Sequence, residues 1–93
     1  MAIQHVNAST QTTATPLVTI KTGLKQLQAV QIYNGHSAAI FIGDATIATS
    51  GATIGRTIAA AGSFQLWCNS GDTIYGISAA ASAVGAIVIT YSA

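Results

Sequence analysis

Charge is almost absent from this chain. Lys21, Lys25, Asp44, Arg56 and Asp72 are its only ionised side chains, 5% of 93 residues, where an ordinary soluble domain carries about 25%. Three cations scattered along the sequence cannot line a groove that follows a phosphate backbone, so nucleic acid is not an expected partner. A net charge of +1 leaves copies of the chain little mutual repulsion, which disfavours life as a free monomer. Cysteine is single, at Cys68, and this excludes an intrachain disulfide. Proline is single as well, at Pro16, and with Ile, Val and aromatic residues abundant the composition is not that of a disordered chain.

Catalytic material is equally sparse. The two histidines, His5 and His36, fall in an N-terminal polar segment and a loop. Asp44 is within reach of His36 across the expected hairpin, but nothing supplies the rest of a preorganised acid–base or nucleophilic site, so the histidines are expected as solvent-exposed arm and loop residues and no enzyme is expected. No CxxC or HxxxH spacing exists, and neither a metal nor a cofactor is expected. Gly51, Gly55 and Gly62 read as turn glycines, since no phosphate-loop pattern contains them. The start, Met-Ala-Ile-Gln-His-Val-Asn, lacks the apolar stretch of a signal peptide. Residues 73–93 are uncharged, yet Thr73, Ser78, Ser82, Thr90 and Ser92 interrupt them too often for a membrane span.

What remains is β-forming. Gln28–Asn34 alternates, with Val30 and Ile32 on one face and Gln31 and Tyr33 on the other. Asn34-Gly35 then predicts a hairpin returning through Ala38–Gly43. Ser63–Cys68 sets Phe64, Leu66 and Cys68 against Gln65 and Trp67, so Cys68 is expected as a small buried apolar group. Asn69-Ser70-Gly71-Asp72 is a dense turn signal. Strands are further expected at Leu17–Ile20, Thr73–Ser78 and Ala86–Tyr91, and Ile47, Ile54 and Ile58 are expected to point inward. The Thr/Ser/Gln-rich residues 1–16 read as an extended N-terminal arm, with room for a short strand at Ile3–Val6. The expectation is therefore an all-β domain over 17–93, a compact antiparallel β-sandwich or small barrel of six to seven short strands. An eight-stranded jelly roll is not expected in this length.

The runs VQIYNGHSAAIFIGD and GATIGRTIAAAGSFQLWCNSGDTIYGISAAASAVGAIVI carry a further pattern. A strand ends in Asn34, another ends at Ile42-Gly43, Gly71-Asp72 precedes Tyr75-Gly76-Ile77-Ser78, and Ala86–Ile89 closes. This pattern, over about residues 28–91, resembles a family of small bacteriophage virion proteins. One departure is Gly76, where the family pattern has alanine. The resemblance implies a structural role in a virion, with the major capsid protein or other virion proteins as partners. Among capsid decoration (cement) protein, head fibre and tail-associated module, the charge-poor composition favours decoration of the capsid surface by a homo-oligomer such as a trimer.

Partner contacts are expected in two places. The arm offers Ile3, His5 and Val6. The strands offer Tyr33, Phe41, Trp67 and Tyr75, aromatics on the faces opposite the expected core, which are contact residues if those faces are exposed and core residues if both faces of the strands are buried. If an exposed aromatic pair lines a groove, a tail- or fibre-associated module binding a host glycan becomes the alternative. A third reading, an ice-binding or amyloid-like surface protein, lacks a fixed Thr ladder or repeat.

Overall fold

The structure is a computed structural model that describes residues 2–93, so Met1, the first residue of the expected arm, lies outside the described residues. Eight strands form: β1 (Ile3–Ala8), β2 (Thr15–Thr19), β3 (Gln28–Asn34), β4 (Ile40–Gly43), β5 (Arg56–Ile58), β6 (Ser63–Cys68), β7 (Thr73–Ile77) and β8 (Ile87–Ser92). They make two four-stranded antiparallel sheets, ordered β1-β8-β3-β6 and β2-β7-β4-β5. Every connection except β4–β5 passes from one sheet to the other. This order is that of a jelly roll, and the expectation of six to seven strands is corrected to eight. The length suffices because the strands are short, from three to seven residues.

Two local corrections explain how. Within the expected arm of residues 1–16, the described residues are not free: β1 pairs with β8 from Ile3↔Ser92 to Ala8↔Ile87. The segment that follows is tied to the β7–β8 loop, where Ser78 N donates to the Gln11 carbonyl and Ser82 N to the Thr10 carbonyl, both at 3.0 Å. Thr10 and Ser78 are buried with their hydroxyls 2.8 Å apart. The polar residues that looked like an arm satisfy one another inside a corner.

The second correction concerns the hairpin over 28–43. β3 and β4 lie in different sheets, and Asn34 marks the corner between them. Its buried amide nitrogen donates to the carbonyls of Ala38 and Ile58 at 3.0 Å and Ala59 at 3.2 Å, while Oδ1 accepts from His36 N at 2.9 Å. Gly35 is needed for close approach rather than for a positive φ: a side chain there would run into the Ala86 carbonyl, to which Gly35 N donates at 3.0 Å.

The core lies between the sheets. Val30, Ile32, Ile87 and Ile89 from the first sheet meet Ile40, Ile42, Ile58 and Ile74 from the second. Of the three isoleucines expected inward, Ile58 is buried and Ile54 is 52% exposed. Gly76 gives up its side chain to Leu17. A β-bulge between Pro16 and Val18 turns Leu17 so that a Cβ at position 76 would stand 2.6 Å from its Cδ1.

Candidate functional site

Two features on the surface are built well enough to bind something. The first is the outer face of the β1-β8-β3-β6 sheet. Directly paired residues share a face in an antiparallel ladder, so the registers align three rows on the sheet. Two rows run His5–Thr90–Gln31–Gln65 and Asn7–Val88–Tyr33–Ser63, and the third consists of the pairs Ile3↔Ser92 and Ala29↔Trp67. No position in them is an Asp, Glu, Lys or Arg. Ile3 and Trp67 are the most exposed large apolar side chains in these rows, at 73% and 63%, and Tyr33 is also exposed. Gln31 Nε2 donates to Gln65 Oε1 at 2.6 Å and stiffens the middle row.

The second feature is a groove of about 480 Å³ where the sandwich opens beside β6. β5 has only three residues, so the inward face of β6 is left partly uncovered. Ile42, Ile74, Leu66 and Cys68 form the apolar floor, with Phe64 and Trp67 on the β6 side. Three of the five charged residues, Asp44, Arg56 and Asp72, stand around it. The Arg56 guanidinium lies over the Phe64 ring, 4.5 Å from its centroid, a cation–π contact that holds both side chains at the rim.

Each carboxylate is positioned by its own turn. Asp44 Oδ1 accepts from the Thr46 hydroxyl at 2.6 Å and from Thr46 N at 2.9 Å. The hydroxyl first and the amide second hold its carboxyl below the usual range. Asp72 Oδ2 accepts from Asn69 N at 2.7 Å, closing the 69–72 turn, where Gly71 has φ 83°. Burial, and then the nearby Asp72 charge, push the Cys68 thiol upward, so it stays protonated and unreactive.

The expected contact residues are divided. Ile3, His5, Tyr33 and Trp67 share the outer face of the first sheet. Phe41 and Tyr75 are half-buried on the outer face of the second, where Phe41 pairs with Ile77 and Tyr75 with Gly43. Val6 points inward against the core. Asp44 and His36 do not meet: the Asp44 carboxylate is taken by Thr46, and His36 Nε2 is buried without a partner. Among the described residues, no group of three His, Cys, Asp or Glu stands ready to hold a metal ion.

Sequence reasoning placed Phe64 and Leu66 in the core and passed over the groove. The brevity of β5 opens it, and Arg56-Thr57-Ile58 offers too few residues for period two to reveal a strand. No protein-family model, no curated protein and no solved structure matches this chain.

Proposed function

We propose that this chain is a non-catalytic structural subunit of a virion, a decoration (cement) protein that sits as a homotrimer on the outside of a bacteriophage head against the major capsid protein. The observation that carries the assembly role is the uncharged outer face of the first sheet, where Ile3, Tyr33 and Trp67 are exposed. An uncharged sheet face with free edges invites another chain. The placement in a virion rests on the sequence pattern from Asn34 to Ile89. Jelly rolls occur in viral capsid proteins and in lectins alike, so the fold does not choose between these roles.

The test is sedimentation. Purified protein is mixed with DNA-filled heads of the phage that carries its gene, and the heads are pelleted. Stoichiometric recovery with the heads is expected, and recovery only in the supernatant contradicts the reading.

A second reading has a specific observation behind it. Phe64 lines a groove with the Arg56 guanidinium over its ring and Asp44 and Asp72 nearby. An apolar floor ringed by carboxylates and a guanidinium suits a sugar, whose C–H face lies on the floor while its hydroxyls hydrogen-bond to charged groups. Under this reading the chain is a tail- or fibre-associated module that binds a host glycan. Glycan-array binding that Phe64→Ala abolishes would favour it over capsid decoration.

A further inference from the structure

The first sheet ends in two free edges that fit each other. The geometry points to head-to-tail association in which β1 of one copy pairs with β6 of the next, continuing the outer sheet from subunit to subunit. This inference rests on the proposed assembly role and specifies its mode.

The hydrogen-bond phase identifies the free groups. Ala2 and Ala93 exchange both backbone hydrogen bonds at 2.8 Å, so Gln4, Val6 and Ala8 point their backbone groups toward β8. Ile3, His5 and Asn7 therefore point theirs outward. On the other side, Asn34 N donates to the Gly62 carbonyl at 2.8 Å, which puts Phe64, Leu66 and Cys68 toward β3. Ser63, Gln65 and Trp67 are left facing outward. Both edges are six residues long, and neither contains a proline or a charge. The edges of the second sheet are guarded: β2 carries Pro16 and the bulge, and β5 is three residues long and begins with Arg56.

Direction, pleat and side chains then agree. β1 and β6 run in opposite senses, because β1 is antiparallel to β8, β8 to β3 and β3 to β6. Copies in the same orientation therefore join antiparallel. On both edges the residues with free backbone groups carry side chains on the outer face, so the pleat stays in phase. Without any stagger, the pairing is Trp67 against Ile3, Gln65 against His5 and Ser63 against Asn7. The exposed apolar side chains meet each other, and polar meets polar. Symmetric β6–β6 pairing would instead set Trp67 against Ser63, and β1–β1 pairing would set Ile3 against Asn7. A heterologous contact of this kind closes into a ring when the rotation between copies allows it.

The test uses the full chain with His5→Pro or Gln65→Pro. Each removes an outward N–H unused within the subunit and puts a ring in the path of the incoming strand. Light scattering should find each variant monomeric alone and an equimolar mixture dimeric, at twice the 9.4 kDa chain mass, because each brings one intact edge. If either variant keeps the wild-type oligomer, or the mixture stays monomeric, edge pairing is wrong; in the first case the assembly role stands on another surface. A wild-type chain that is itself monomeric overturns both. Should a variant fail to fold, hydrogen exchange on the wild-type oligomer decides. Slow exchange at the His5 and Gln65 amides supports the pairing, and fast exchange at both overturns it.

Discussion

Asn34 Nδ2 donates to the Ile58 carbonyl at 3.0 Å inside the protein, joining the end of β3 in one sheet to the end of β5 in the other. The same amide reaches Ala38 and Ala59, so three carbonyls depend on one side chain. Asn34→Leu should cost about 3 kcal/mol, since buried carbonyls left without a donor cost about 1–3 kcal/mol each. Asn34→Asp should be at least as damaging, because it sets a carboxylate among carbonyls. Chemical denaturation with urea measures both, and a loss below about 1 kcal/mol for Asn34→Leu would show that the corner does not depend on this residue.

Gly76 and Leu17 form a size-matched pair across the bulge. Gly76→Ala should destabilise by about 1–3 kcal/mol through overpacking, since the new Cβ would lie 2.6 Å from Leu17 Cδ1 and 2.9 Å from Cγ. Leu17→Ala in that background should cost less than it does in the wild type. A double-mutant cycle reads the coupling, and simple additivity would contradict the packing described.

Ala61, in the turn between β5 and β6, is the one non-glycine residue among the described residues with a positive φ, 59°. Ala61→Gly should leave stability unchanged or raise it by about 0.5–1 kcal/mol, as relief of the left-handed conformation outweighs the added freedom of the unfolded chain. A clear fall in melting temperature would count against this backbone.

Cys68 lines the groove floor with its thiol held protonated by burial and by Asp72. Disulfide reagents should react slowly with the folded protein at neutral pH and quickly once it is unfolded. The sign for stability follows from linkage. An acid whose folded pKa is raised binds its proton more tightly when folded. Stability should therefore decline as pH rises past about 8.5, where an unfolded thiol ionises, and level off above the folded value. Cys68→Ala should remove that decline, and its persistence would assign the effect elsewhere.

Much of the β pattern was legible in the residues. Gln28–Asn34 and Ser63–Cys68 coincide with β3 and β6, because one face of each is apolar and the other is not. Two things were not legible. Strand–turn–strand with Asn-Gly between reads alike for a hairpin and for a sheet-to-sheet corner, and only the partners of the Asn34 amide separate them. β1 carries Gln4, Val6 and Ala8 inward, too weak an apolar face to distinguish a strand from a polar arm. Alternation set Tyr33 and Trp67 opposite the core face of their strands but left open whether that opposite face is surface or a second buried face. Their division from Phe41 and Tyr75 follows from sheet order, which no local pattern encodes.

The solution mass of the wild-type chain bears most directly on the assembly role. Size exclusion with light scattering, over a wide concentration range, should give a discrete trimer at three times the 9.4 kDa chain mass. A single monomer at every concentration would contradict the account, since the uncharged sheet face and its free edges would then stand uncovered in solution.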